Sequence, residues 1–588
     1  AVKLGQKLCT KSGPVEYPRQ ELPDAAKWGP EKWAIDYRDK NRVNCYDTGT
    51  APCKTACPAH IAVQGYLKLA AQGKYREALQ LIKRENPFPA VCGRICNRRC
   101  EDACTRGTVD QAVAIDEVKR FIAQQDLDAA TRFVPEKVIP KVDGAFDQQI
   151  AIIGGGPAGL SCAYYLAEKG YRPTVFEKEQ RLGGMLENGL PSFRLEKDVV
   201  QAEIDVLREM GVQFRCGVEV GKDVTIAQLR EQGYQGFYVA VGLQSGGRLN
   251  IPGDDAQGVT AGIDFMRRVN GGQEMKLEGR VVVIGGGNIA ADVARTAVRC
   301  GAESVDLYCL ESYDDMPMGP EDRGECERDG ITIHAGWGQT EIVTENGHAA
   351  GIRFRKCLRV KNDQGRFAPE FDDNDTCQAQ CAAVLYCIGQ KVDWRQLLTG
   401  TAVTFNPNGT AQVDPVTYQT AEPGIFAGGD AVTGQKFAID AIAAGKEGAI
   451  SLHRFVQKAT LTIGRNRRRF VELDKENALI PVGFDNTPRQ RIGYNEALRR
   501  TFRDERVAFT AEQVQKETAR CLSCGASVVD PNKCIGCGVC TTKCAFDAIH
   551  LHRERPECTN MIPSEDKMKA ILPYMVKRQI KIRKAGKK

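Results

Sequence analysis

Two segments of the chain repeat one pattern: a short run that is apolar at almost every position, a glycine turn, a helix-length stretch, and a second apolar run. In the first, Ile150-Ala-Ile-Ile153 leads into Gly154-Gly-Gly156-Pro-Ala-Gly159, then LSCAYYLAEKG, then PTVFE ending at Glu177. In the second, Val281-Val-Val-Ile284 leads into Gly285-Gly-Gly287-Asn-Ile-Ala290, then ADVARTAVRCGA, then SVDLYCLE ending at Glu311. Short uninterrupted apolar runs of this kind predict parallel strands buried on both faces. Strand, glycine turn, helix and a later acid, in that order, predict a dinucleotide-binding fold. The glycines permit the tight turn and let backbone approach a pyrophosphate on the helix N-terminus, while Glu177 and Glu311 stand where an acid accepts ribose hydroxyls. Ala290 in place of the third glycine is an accepted variant.

A third segment decides how the two units are used. Thr420-Ala-Glu-Pro-Gly-Ile-Phe-Ala-Gly428-Gly429-Asp430 reads as a short strand ending in an acidic turn, and KFAIDAIAAGKEGAISLHRF after it as a helix. The turn resembles the second FAD motif of two-dinucleotide-domain flavoproteins, which implies that Asp430 holds the ribityl chain. The helix N-terminus would then point partial positive charge at the flavin N1–O2 edge. The first unit is therefore expected to bind FAD and the second, inserted within it, a nicotinamide nucleotide.

Composition narrows the class. The chain has 588 residues, 42% of them hydrophobic and 27% charged, and a net charge of +6 that argues for no particular partner. No apolar run approaches the about 18 residues of a membrane span, and the first residues, AVKLGQKLCTKSGP, carry no signal-peptide core, which points to the cytoplasm. Against that background the 24 cysteines are unusual and suggest metal ligation rather than disulfides. Eight lie in 1–104, seven in 521–558, and the nine between show no compact ligand spacing and read as small buried hydrophobes.

The carboxy-terminal set contains Cys534-Ile-Gly-Cys537-Gly-Val-Cys540-Thr-Thr-Lys-Cys544, the C-x2-C-x2-C-x3-C spacing of a ferredoxin [4Fe–4S] loop. Cys521, Cys524 and Cys558 are left for a second cluster shared with Cys544, or for a structural zinc on Cys521 and Cys524. The fold class expected is thus α/β. Two dinucleotide-binding (Rossmann-like) domains, the second inserted in the first, are flanked by an N-terminal α-helical Fe–S domain and a C-terminal ferredoxin-like domain. The spans are 1–147 for the helical Fe–S domain, 148–265 with 405–460 for the FAD domain, and 266–404 for the NAD(P) domain. A connector over 461–515, the ferredoxin-like 516–560 and a basic tail over 561–588 complete the chain.

In APCKTACP, VCGRIC, GGMLENGLPSFRLEKDV, VIGGGNIAAD and GIFAGGDAVTG, the sequence resembles the small subunit of glutamate synthase and its relatives, over about 40–460. Those relatives include the large subunit of NADH-dependent ferredoxin–NADP oxidoreductase and the amino-terminal half of dihydropyrimidine dehydrogenase. The resemblance implies FAD, a nicotinamide cofactor and amino-terminal Fe–S clusters, with Gly184, Met185 and Arg194 among the cofactor-binding residues. It also implies one cluster on Cys53, Cys57, Cys100 and Cys104. A second would fall on the positions of Cys45, Thr48, Cys96 and a Gln or Glu near Lys119. The family pattern R-C-x2-C-x4-C-x3-C-P is broken here, because Thr48 stands where its second cysteine belongs. A further departure concerns specificity. NADPH-using members carry arginines after the second strand of the nicotinamide domain, whereas this chain reads Tyr308-Cys309-Leu310-Glu311, so NADH is expected over NADPH unless Arg295 or Arg299 supplies the charge.

The function expected is an oxidoreductase subunit moving electrons between NAD(P)H, FAD and Fe–S clusters. The acceptor would be a partner subunit or ferredoxin, and flavin-based bifurcation is open because two cluster-bearing ends flank one flavin. The alternatives are a glutamate synthase small subunit feeding an amidotransferase, and a wiring subunit with inactive nucleotide sites. No catalytic side chain is required, since the redox chemistry belongs to the cofactors. No cysteine pair follows Gly183-Gly184, which excludes thiol–disulfide exchange there, and no nucleic-acid module accompanies the basic tail.

Overall fold

The computed structural model describes residues 50–136, 146–463, 465, 484–524, 535–543 and 565–585. The chain divides into two compact units, one of residues 45–527 and one of 1–44 with 528–588. In the smaller unit the described elements are the helices Val539–Lys543 and Lys567–Ala585. No helix among the described residues is long and apolar enough to cross a membrane.

Within the larger unit the first apolar run forms the strand Gln149–Ile153, flanked in a parallel sheet by Thr174–Glu177 and Tyr234–Val239. Gln213–Cys216 closes one edge, and Ile425–Ala427 closes the other by pairing with residues 237–239. The chain therefore leaves this sheet and returns to it, with a second domain between. That domain carries its own parallel sheet in the order Val259–Ala261, Ala383–Tyr386, Arg280–Ile284, Ser304–Cys309, Thr332–Ala335. Its first strand lies inside the span given above to the FAD domain. In both sheets the central strands are buried on both faces, as their unbroken apolar runs require.

An antiparallel meander, Trp337–Glu345, His348–Lys361 and Phe367–Gln380, is added to the second domain. It packs Ile342, Ile352 and Phe354 against Val282 and Tyr308, with the Tyr308 ring stacked on Phe354 at 4.0 Å. Its third strand, FAPEFDDNDTCQAQ, is largely exposed and polar, so backbone pairing and the loops around it, not a hydrophobic stripe, hold it in place.

The amino-terminal segment is helical: Val63–Ala71, Tyr75–Lys83, Pro89–Ile95 and Ile115–Ala123. Gly93 lets the last two cross closely, since a Cβ there would lie 2.7 Å from the Arg120 Cα. The N-terminus of Pro89–Ile95 has no cap of its own. The buried Glu203, on helix Lys197–Glu209 of the flavin-type domain, serves instead, accepting from the amides of Ala90 and Val91 at 2.7 and 2.9 Å. Glu203→Ala should leave two buried donors unsatisfied and cost about 2–3 kcal/mol. Limited proteolysis with mass mapping should then find the first new cuts in 86–104.

Candidate active site and cysteine groups

The first glycine turn is sterically obligatory. Gly154 has φ +108°, and a Cβ on it would lie 2.4 Å from the Ala240 carbonyl oxygen. A Cβ on Gly159 would lie 2.0 Å from the Gly154 oxygen, so helix Pro157–Glu168 reaches this closeness to its strand only with glycine. Gly156 faces Gly184, whose own φ is +54° and whose Cβ would stand 3.0 Å from the Gly156 Cα. Glu177, at the end of its strand, accepts from the Gly155 amide at 2.7 Å and from the Glu179 amide at 2.9 Å. Burial raises its carboxyl despite both bonds.

Strand Ile425–Ala427 delivers Gly429 and Asp430 to the same turn. Burial lifts the Asp430 carboxyl to about 6, while the Lys436 amide donates to it at 3.3 Å. Helix Ala438–Val456 crosses Pro157–Glu168 at Gly445, where a Cβ would lie 2.2 Å from the Ala158 oxygen. Its first residues, Ala438 and Ala441, line a cavity of about 540 Å³ that also takes in Gly154, Gly156, Glu177, Gly184, Met185, Arg194, Gly429 and Asp430. Asn288, Ile289 and Asp292 of the second domain bound it too, so the cavity reaches from the first glycine turn to the N-terminus of the helix Asn288–Arg299 that follows the second.

At the second turn Gly285 has φ +137°, with the Cys387 oxygen 2.6 Å from where a Cβ would be. Gly287 is open, and Ala290 is buried in the domain core. The Glu311 carboxylate leans over this turn as Glu177 does over the first: its Oε2 lies 2.7 Å from the Cβ position of Gly286. The Asn288 side chain accepts from the Gly319 amide at 3.2 Å. Arg295 and Arg299 are both buried in an ion cluster on Asp329, at 2.8 and 2.7 Å. They also lie over the Phe193 ring, which leaves neither turned to a nucleotide.

Arg194 has partners that sequence reasoning missed. Its guanidinium spans the domains, meeting Asp292 at 2.7 Å and Asp322 at 2.5 Å. Arg506, from the segment read as a connector, donates to the Arg194 carbonyl at 2.7 Å. The clue was Arg194 at the end of the GGMLENGLPSFR motif, but its carboxylate partners are about 100 residues away in sequence.

The cysteines fall into two groups within the larger unit. Burial, and then the nearby thiols of Cys521, Cys104 and Cys524, push Cys53 well above its ordinary value. Cys521 is raised to about 11 by burial, with Cys104 and Cys524 adding to it. The second group has Cys57 beside Cys96, Cys96 beside Cys100, and Lys119 against both Cys96 and Cys100. Lys119 is buried and paired with Asp116 at 2.5 Å. Although burial opposes its charge, the Asp116 carboxylate beside it raises its pKa and keeps it protonated. An ammonium has no lone pair to give, so Lys119 does not replace the Gln or Glu ligand that the resemblance implies. The turn Arg99–Asp102, which carries Cys100, is tied to the cavity helix by a two-bond Arg99–Asp440 pair at 3.0 Å.

Cys521 and Cys524, grouped above with Cys544 and Cys558, thus lie beside Cys53 and Cys104. Cys45, Thr48, Cys534, Cys544 and Cys558 are outside the described residues. Cys537 and Cys540 are exposed, with Gly536 and Gly538 both at positive φ between and beside them. No disulfide joins any of the described cysteines. Among the described residues no three or more His, Cys, Asp or Glu converge on a point that a single metal ion could hold. A cubane, whose thiolates each take a different iron, requires a wider ring.

Comparison with known proteins accords with this architecture. A family model for pyridine nucleotide-disulphide oxidoreductases matches residues 148–445, one for the 4Fe-4S cluster domain II of dihydropyrimidine dehydrogenase matches 37–131, and a 4Fe-4S binding domain matches 527–550. The chain is 34% identical to the NADP(+)-dependent formate dehydrogenase subunit beta of Moorella thermoacetica, over 81% of its own length and 70% of that protein's. It is 29% identical to the NADPH-Fe(3+) oxidoreductase subunit beta of Geobacter sulfurreducens, over 81% and 75%. With the glutamate synthase [NADPH] small chain of Escherichia coli it shares 31% identity over 70% of this chain and 90% of that one. The chain belongs to the pyridine nucleotide-disulphide oxidoreductase family, as an oxidoreductase with 4Fe–4S domains at both ends of its flavoprotein core.

Proposed function

We propose that this chain is the flavin-bearing electron-transfer subunit of a larger complex, taking electrons from NADH and passing them through Fe–S clusters to a partner. The observation that carries the reading is one cavity lined by the first glycine turn and by the start of the helix that follows the second. Gly154, Gly156, Gly159 and Glu177 would seat the FAD pyrophosphate and ribose, with Gly184, Met185, Gly429 and Asp430 along the rest of the molecule. FAD bound there would supply the exchange between two-electron nicotinamide chemistry and one-electron transfer. The protein orients the two nucleotides across the Arg194 bridge. Through the Arg99–Asp440 pair it also holds the cysteine-bearing helices against the flavin side.

For the second nucleotide, Gly285, Gly287, Asn288 and Ala290 would form the pyrophosphate seat and Glu311 would accept the adenosine ribose hydroxyls. A carboxylate over that turn repels a 2′-phosphate, and the internal pairing of Arg295 and Arg299 supports NADH although the names of several relatives specify NADP. Anaerobic stopped-flow reduction of the bound flavin by each nucleotide tests this directly. NADH should be the faster reductant, and equal or faster reduction by NADPH overturns the preference. Glu311→Ser should lower kcat/KM for NADH about tenfold, the equivalent of one charge-assisted hydrogen bond of about 1.5 kcal/mol.

A partner subunit is supported by the relatives, several of which are named as the beta subunit of a formate dehydrogenase or of an NADPH-Fe(3+) oxidoreductase, or as a glutamate synthase small chain. Division of each electron pair between two exits, as bifurcation requires, would appear as ferredoxin reduction by NADH only when a second, higher-potential acceptor is present.

A further inference from the structure

The amino-terminal cysteine pattern lacks its first half: where the resemblance expects R-C-x2-C ahead of Cys53, the chain reads Asn44-Cys45-Tyr-Asp-Thr48. The same R-C-x2-C signature occurs near the other end, as Arg520-Cys521-Leu522-Ser523-Cys524. The fold brings that distant copy beside Cys53 and Cys104.

Helix Ala511–Ala519 starts on a capping box between Thr510 and Gln513 and delivers the pair. Glu517, fully buried, accepts from the Ala114 amide at 2.8 Å and the Gln490 amide at 2.6 Å and pairs with Arg520 at 2.7 Å. Arg520, also fully buried, reaches Asp110 at 3.0 Å and the Gln111 carbonyl at 2.6 Å. In return Arg106, two residues after Cys104, donates to the Arg520 carbonyl at 3.0 Å. The backbone immediately before Cys521 is thus pinned to the backbone immediately after Cys104. Ser523 adopts φ +54°, turning the chain so that Cys524 follows on the same side, and Gln64 of helix Val63–Ala71 donates to the Cys524 carbonyl. Cys53 completes the set from helix Pro52–Thr55, and Lys68 lies near enough to Cys521 to offset part of the charge that thiolates would bring. A guanidinium buried between Glu517 and Asp110 just ahead of this turn is a costly way to hold a chain end, but an apt way to fix two ligands.

We propose that Cys53, Cys104, Cys521 and Cys524 together bind one [4Fe–4S] cluster, the carboxy-terminal R-C-x2-C taking the places that the resemblance gives to Cys57 and Cys100, which the fold groups with Cys96 and Lys119 instead. The inference rests on the reading that the amino-terminal domain carries Fe–S clusters. It leaves Cys534, Cys537, Cys540 and Cys544 as a self-sufficient ferredoxin-type set.

The test is iron quantitation, flavin quantitation and EPR on the full chain, purified anaerobically and reduced with dithionite. Cys521→Ser/Cys524→Ser should lose about four irons per chain and one EPR signal, the same signal that Cys53→Ser/Cys104→Ser removes, with flavin content unchanged. The single variant Cys521→Ser should keep its irons with shifted g values, as oxygen ligation produces and a purely structural cysteine would not. Cys45→Ser should leave the signal intact. If Cys53→Ser and Cys45→Ser each lose the signal while Cys521→Ser/Cys524→Ser keeps it, the ligand assignment is overturned. If no cysteine variant in 45–104 changes iron content, the underlying cluster reading fails instead.

Discussion

Arg194→Met should leave the flavin bound yet slow its reduction by nicotinamide at least 100-fold. Arg194 is the bond across which the two nucleotide domains meet, and it satisfies Asp292 and Asp322 together. Removing it strands two carboxylates at that interface, a loss of about 3–5 kcal/mol. Asp292, which burial already raises, would then be driven higher still. A folded-state carboxyl raised above its unfolded value binds extra protons in the native state. The variant should therefore lose stability as pH rises from the ordinary carboxylate range through that raised value. Displacement of about 1 Å between reacting groups suffices for a 100-fold rate loss. Stopped-flow bleaching of the flavin measures the rate, and flavin content per chain separates a geometric defect from failure to bind. Adding Asp292→Asn and Asp322→Asn should restore thermal stability but not rate; restored rate would mean that Arg194 only balances charge.

The second large effect comes from one methyl group. Gly159→Ala should yield protein with less than about a tenth of its flavin, because the new Cβ would sit 2.0 Å from the Gly154 oxygen and the helix would have to lift off the strand whose turn receives the pyrophosphate. The inverse change at the equivalent place in the second domain, Ala290→Gly, should bind nucleotide normally and cost only about 1 kcal/mol of helix propensity. Absorbance of the purified variants reads both. A flavin-replete Gly159→Ala protein would mean that the first turn tolerates a wider opening than its backbone now has.

The contrast between those positions marks what the sequence makes legible. Each glycine turn is local: strand, turn, helix and acid lie within about 30 residues, and steric rules written in those residues survive into the fold. The return of Ile425–Ala427 to the first sheet was readable for the same reason, since its acidic turn follows at once. The meander Trp337–Gln380 was not, because its third strand carries almost no apolar alternation. Nor was the membership of Val259–Ala261 in the second sheet, a three-residue strand defined only by its neighbours. Arg194 was visible as a motif residue, but its carboxylates were not. The cysteines show the limit most clearly. Spacing groups residues that are close in sequence, so it set Cys521 and Cys524 with the ferredoxin loop, while folding sets them beside Cys53 and Cys104. Lys119 was legible as a departure, yet only its pairing with Asp116 explains why it is no ligand.

The bond between Arg520 and the loop at Asp110 also has a consequence for biosynthesis. At 5–20 residues per second, translation reaches Arg520 roughly 20–80 s after it passes Asp110. Through that interval the amino-terminal helices emerge without the arm that packs on them, and Cys53 and Cys104 are without their neighbours Cys521 and Cys524. Maturation of this end of the protein is therefore ordered in time. The contact between the amino-terminal helices and this arm can form only after Arg520 has left the ribosome, 410 residues after Asp110.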